Sequence, residues 1–235
     1  MDDVNPDSGL RKIEREPLWD IAHAQLRDAL LAGRFEPGST LTLRYLAEIF
    51  GISVTPVRDA VTRLAAQGVL KQGPRNRAVV PAITADELKQ LAIVRCELEG
   101  RAAFEAASRI NDASLEKVER SLSAMQKSMA DGDRQAYLRA HRGFHFAIYE
   151  ASQVPLLIEM IENLWLRIGP TLLYVMPIYV HNIKSVNHHV GAFEALKVRD
   201  AVACRREISN DIEKAANYLN SLIDETGRIR KPDAR

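Results

Sequence analysis

The stretch from Leu41 to Val80 constrains the fold most, because it places a helix, a tight turn, a second helix and a basic hairpin in one short span. Leu43, Leu46, Ala47 and Ile49 form the inner side of a first helix, about Leu43 to Phe50, and the Thr42 hydroxyl can accept a hydrogen bond from an amide of its first turn. Gly51 ends that helix. Ser53 offers a second N-cap, and Pro56 is tolerated in the first turn, where amides lack intrahelical partners. Val57, Val61 and Leu64 supply the apolar stripe. After Gly68, Val69 to Gln72 form one arm of a hairpin, Gly73-Pro74-Arg75-Asn76-Arg77 its turn, and Ala78 to Val80 the return arm. The outline is a winged helix-turn-helix whose wing has a cationic tip.

Charge agrees with this outline locally rather than in total. The chain carries a formal net charge of +1, yet between Val54 and Arg77 the cations Arg58, Arg63, Lys71, Arg75 and Arg77 face Asp59 alone. Because ionic fields decay over about 8–10 Å at physiological salt, this local patch governs attraction to phosphate. Double-stranded DNA is the expected partner, with Arg75 and Arg77 at phosphates.

At 235 residues the chain is long enough for two cores. Its most apolar stretch, Pro170 to Val180, is too short for a membrane span and contains Pro177, and Met-Asp-Asp-Val-Asn-Pro lacks the apolar core of a signal peptide. Cys96 and Cys204 fall in predicted helix interiors without zinc-knuckle spacing, which suits a reducing cytoplasm and inert thiols. A cytoplasmic protein with no membrane partner is expected.

The wing gives way to a linker at 81–84, where Thr84 and Glu87 have the spacing of a capping box. One helix is predicted at about 17–32, ahead of the winged motif. Others follow at about 85–109, 112–131, 133–152, 155–177, 183–198 and 200–225, with a break in the Pro177 to Asn182 region. The fold class is therefore mostly α: a winged helix-turn-helix over 16–80, then an all-α bundle over 85–225. The charged segments 1–15 and 226–235 read as mobile tails.

Candidate chemistry in the bundle comes from polar residues on apolar stripes. Tyr137, His141, Phe144, His145 and Ile148 share one helix face, so two imidazoles lie one turn apart. His189 shares a stripe with Ala192, Phe193 and Leu196, and Asp211 shares one with Cys204, Ile208, Ile212, Ala215, Leu219 and Leu222. An unpaired buried carboxylate costs several kcal/mol, a cost that a divalent cation held by His141, His145, His189 and Asp211 would remove. Zinc, nickel and manganese all accept such ligands. The alternative is ordinary core histidines with Asp211 turned to the surface. Arg95 lies on the stripe of Leu88, Leu91, Leu98 and Ala102, where it can grip a carboxylate ligand bidentately or pair internally with Glu99 or Asp211.

Two resemblances add to these readings. The run "GRFEPGSTLTLRYLAEIFGISVTPVRDAVTRLAAQGVL" resembles the DNA-reading domain of the GntR family of bacterial regulators through Gly33, Pro37, Gly38, Leu46, Ala47, Ser53, Thr55, Pro56, Val57, Arg58, Ala60, Leu64 and Gly68. The resemblance implies Arg44, Ser53, Thr55 and Arg58 at DNA, with Gly73 and the wing behind them. The family's usual Arg after the Ser is Val54 here, which can meet a thymine methyl but offers no hydrogen bond to a base edge.

From about Thr84 to Leu222 the chain resembles the FCD effector domain of the FadR subfamily through Arg95, Leu98, Glu99, Ala102, Ala103, His141, Phe144, His145, His189, Ala195, Leu196 and Asp200. Metal-binding members usually present one Asp followed by three His. This chain has His141 in place of the first Asp and Asp211 in place of the last His, a swap that keeps the inventory. The resemblance implies a non-enzymatic, ligand-responsive regulator that binds a pseudo-palindromic operator as a homodimer and senses a small organic acid at the metal site, with Arg95 as an effector contact. A metal sensor, or a metal-dependent hydrolase using the same cluster, is the alternative; against the hydrolase, no spare general base accompanies the four ligands.

Overall fold

Local chemistry sets each element of the winged domain. A computed structural model describes residues 17–75, 77–175 and 187–231. Helix α1 (Leu18–Leu31) precedes strand β1 (Thr40–Thr42), α2 (Leu43–Phe50), α3 (Val54–Ala66), β2 (Lys71–Gly73) and β3 (Arg77–Val79). Tyr45 N donates to Thr42 Oγ1 at 3.1 Å, and Gly51 closes α2 in the left-handed region at φ 65°. Val57, Ala60, Val61 and Leu64 bury one face of α3.

Three details differ from the sequence reading. Ser53 occupies the N-cap position of α3, but its side chain makes no capping bond and is exposed. Ile49 is 59% exposed, because the buried face of α2 runs through Leu43, Leu46 and Ala47 and leaves position 49 to one side. The wing also has a third strand. The sheet order is β1-β3-β2, all antiparallel, with Leu41 and Gln72 both opposite Ala78.

The bundle comprises α4 (Ala85–Arg109), α5 (Asp112–Ala130), α6 (Arg134–Ala151), α7 (Pro155–Leu172), α8 (His188–Lys197) and α9 (Ala201–Ser221). The capping box opens α4 as expected: Thr84 N donates to Glu87 Oε2 at 2.9 Å, and Glu87 N donates to Thr84 Oγ1 at 3.3 Å. Helix α4 lies along α9, α5 along α6, and α8 against α9, around a core that includes Trp165, Tyr149, Phe144, Ile148 and Leu196. The expected tail at 1–15, the turn residue Asn76, the expected break at Pro177 to Asn182 with its flanking helix ends, and residues 232–235 lie outside the described residues.

Residues 226–231, expected as part of a mobile tail over 226–235, fold back against the bundle instead. A turn at Gly227 (φ 75°) folds the chain back, so that Ile223 pairs with Ile229 and Arg228 pairs with Thr84 in isolated antiparallel bridges. Ile229 is buried, Arg230 N donates to Leu222 O at 3.1 Å, and Lys231 Nζ reaches Glu36 Oε1 of the winged domain at 2.6 Å. One apolar side chain in a charged run is enough to anchor the return.

Helix α1 packs on both α3 and α7 and so joins the two units. Gly169 of α7 admits the α1 main chain, since a Cβ there would lie 3.3 Å from Leu30 O. Close by, Arg167 donates Nε at 3.1 Å and a terminal nitrogen at 2.8 Å to Gln67 O, the C-cap carbonyl of α3.

Candidate metal centre and nucleic-acid interface

Helix α3 and the wing form one continuous surface. Gln72 Nε2 donates to Thr62 Oγ1 at 3.1 Å and fixes the hairpin against the helix. Arg44, Ser53, Thr55, Arg58, Arg75 and Arg77 are all exposed, and Gly73 is half-buried at the end of β2. Arg63 belongs to a different environment: its guanidinium lies 4.2 Å from the Trp19 ring centroid, a contact that fixes α1 to α3.

In the bundle, α6 presents Tyr137, His141, His145 and Tyr149 at successive i+4 positions, and all four are buried. Helix α8 contributes His189 and α9 contributes Asp211, both buried. His145 Nε2 lies 3.3 Å from His189 Nε2 and 3.5 Å from Asp211 Oδ2, and His189 Nε2 lies 3.6 Å from Asp211 Oδ1. The His141 ring centroid is 4.6 Å from that of His145 and 5.2 Å from that of His189. One ligand atom from each of the four residues lies within 4.8 Å of all the others. A tetrahedral ion with bonds of about 2.0–2.1 Å needs ligand atoms about 3.3–3.4 Å apart. His145, His189 and Asp211 meet that spacing within a few tenths of an ångström, so these three donors fit an ion, and His141 offers a fourth ligand atom within 4.8 Å of the others.

The protonation states fit as well. Burial drives the His141 imidazole far below its usual range, reinforced by His145 and His189. Burial likewise pushes His189 down to about 4, outweighing the attraction of Asp211. At Asp211 burial favours the neutral acid, but the neighbouring His189, His145 and His141 rings overcome it and hold the carboxyl well below its usual value. The neutral His141 and His189 rings beside the ionised Asp211 are in the deprotonated form that metal ligation requires. The thiols of Cys96 and Cys204 are raised by burial to about 11 and about 12, which keeps them protonated.

Arg95 adopts the internal pairing. Its Nε donates to Glu99 Oε1 at 2.5 Å and a terminal nitrogen donates to Glu99 Oε2 at 3.2 Å. Its guanidinium carbon also lies 5.2 Å from the Trp165 ring centroid. Arg95 nonetheless lines a cavity of about 20 Å³ together with Tyr137, His141, Leu172 and Asp211. A larger, open cleft of about 660 Å³ between α1 and α6, bordered by Arg34, Arg139 and Arg142, contains none of the cluster residues.

Three contributors were not legible as functional from sequence. Tyr149 Oη donates to Glu99 Oε2 at 2.5 Å and lies 2.9 Å from His145 Nδ1, so it joins the cluster to the Arg95 pair. Its i+4 spacing from His145 was the available signal. Trp165 packs against both α6 histidines, with ring centroids 5.6 Å from His141 and 5.3 Å from His145. Arg167 is two residues further along the same helix, at the α3 C-cap.

An exposed recognition helix and basic wing, joined to a helical bundle with a buried His/Asp cluster, define a two-domain DNA-binding regulator. Residues 20–80 match the model of the bacterial regulatory proteins of the gntR family, and residues 90–214 match the FCD domain. The chain belongs to the GntR family of transcriptional regulators, in its FadR-like branch with an FCD domain. It is 33% identical over 201 residues to the HTH-type transcriptional regulator McbR of Escherichia coli K12, covering 84% of this chain and 90% of that protein. The solved structure of E. coli McbR/YncC superimposes with a TM-score of 0.82 at 29% identity, over 89% of this chain and 100% of that one. A GntR regulator structure from Rhodococcus sp. RHA1 shares the fold, with a TM-score of 0.70 at 20% identity over 85% of this chain and 96% of that one.

Proposed function

We propose that the protein is a cytoplasmic, ligand-responsive transcriptional regulator that binds a pseudo-palindromic operator as a homodimer and holds a divalent ion at His141, His145, His189 and Asp211. Arg44, Ser53, Thr55 and Arg58 meet the major groove or its phosphates, and Gly73, Arg75 and Arg77 bring the wing to the backbone. A small organic acid reaches the cluster from the cavity beside Arg95 and changes DNA affinity by favouring one arrangement of the two domains. The bound ion supplies a positive charge able to take a carboxylate oxygen. The residues of this chain do the rest: the imidazoles and Asp211 fix the ion, Arg95 offers its remaining N–H donors, and Tyr137 and Leu172 wall the cavity.

The convergence of four buried ligand side chains from three helices carries this reading. Thermal denaturation of wild type with and without chelator, against a panel of small organic acids, tests it. Stabilisation by an acid only in metal-loaded protein is the expected result. Stabilisation that persists in chelator would place the effector elsewhere.

One observation favours a second reading, in which the metal itself is the signal. The cavity beside the cluster, about 20 Å³, barely exceeds the about 10–15 Å³ that one water needs. DNA affinity that responds to metal alone, unaltered by any acid, would select this reading.

A further inference from the structure

The hydrogen-bond chain behind His145 has a direction, and that direction fixes which nitrogen faces the cluster. Arg95 donates twice to Glu99, so the Glu99 carboxylate acts as an acceptor. Tyr149 Oη lies 2.5 Å from Glu99 Oε2 and therefore donates its one proton there. The phenolic oxygen then has only lone pairs to offer to His145 Nδ1, 2.9 Å away. A bare Nδ1 would set lone pair against lone pair at that distance, so Nδ1 carries the proton and donates. In the neutral ring Nε2 is left bare, and Nε2 is the atom placed 3.3 Å from His189 Nε2 and 3.5 Å from Asp211 Oδ2.

We infer that Tyr149 and Glu99 are positioning residues that lock His145 as an Nε2 donor toward the cluster, with Arg95 orienting Glu99 for that task. This rests on the metal reading proposed above and adds the selection of the ligand tautomer. The chain has few degrees of freedom. Glu99, His145 and Tyr149 are each 0% exposed, and Arg95 is pinned between Glu99 and the Trp165 ring. Outer partners of this kind set ring orientation and ligand basicity at metal sites, and their loss weakens metal binding by about 10–100-fold.

Tyr149→Phe keeps the ring and the Arg95–Glu99 pair but removes the acceptor for His145 Nδ1. Competition with a chromophoric chelator should show zinc affinity of the full-length variant reduced by about 10–100-fold, with far-UV circular dichroism of the metal-free protein unchanged. A purely structural hydroxyl would alter folding stability and leave zinc affinity alone. Long-range proton–nitrogen spectra of chelator-stripped wild type read the tautomer directly and need no variant: Nδ1 of His145 should be protonated and Nε2 pyridine-like. A proton on Nε2 with Nδ1 bare, or full zinc affinity in Tyr149→Phe, would overturn the relay while leaving the metal site standing. A wild type that takes up no zinc would overturn the metal reading, and the relay's purpose with it.

Discussion

Acidifying the metal-free protein should unfold the bundle over a window set by its buried imidazoles. His189 is held down to about 4 in the fold against 6.5 for an unperturbed ring, chiefly by burial. Between those values the unfolded chain binds a proton that the folded chain refuses, so stability is complete above pH 6.5 and declines as pH falls toward 4. At about 1.4 kcal/mol per tenfold change in proton affinity, His189 alone removes about 2 kcal/mol by pH 5 and about 3 kcal/mol by pH 4. His141, also driven down by burial, acts in the same direction. Against a typical total of about 5–15 kcal/mol these losses are large. Urea denaturation of chelator-stripped protein between pH 7.5 and 4.5, compared with His189→Asn, measures them. The variant should lose a corresponding part of the pH dependence. Equal slopes in the two proteins would refute the assignment of His189 as a neutral, desolvated ring.

Further outcomes follow from the same geometry. Arg58→Ala should weaken specific operator binding by about 1–3 kcal/mol at fixed salt, whereas removing Arg75 or Arg77 should weaken binding to all sequences and flatten its salt dependence; gel-shift titrations across salt separate the two. His141→Asp and Asp211→His should each lower metal content by elemental analysis, and the double variant should recover much of it, because together they restore the arrangement usual in the family; equal content in all four proteins would mean that the two positions do not share an ion. Ile229→Ala should cost about 2 kcal/mol by denaturant titration, a buried aliphatic group lost from the returning C-terminal segment, while an unchanged midpoint would free that segment from the core.

What was legible in the sequence was what local spacing decides. Thr84 and Glu87 announce the start of α4, and Gly51 the end of α2, because each works through atoms a few residues away. The i+4 stripes placed His141 and His145 on one inward face, and the same spacing links Arg95 to Glu99. That His189 and Asp211 meet them depends on how α8 and α9 pack, which the family resemblance suggested and periodicity alone could not. Contacts across long separations were invisible: Tyr149 to Glu99, Arg167 to Gln67, and the pairing of β1 with β3. So was the anchoring of Ile229, whose neighbours in sequence are charged or polar.

Operator affinity of chelator-stripped protein, measured before and after reloading with zinc, nickel or manganese and again in Asp211→Ala, tests the central claim most directly. A bundle that holds an ion at His141, His145, His189 and Asp211 and communicates through α7 predicts that reloading, alone or together with an organic acid, changes the wild-type affinity and leaves that of Asp211→Ala unaltered. Wild-type affinity indifferent to metal in both the presence and absence of acids would contradict it.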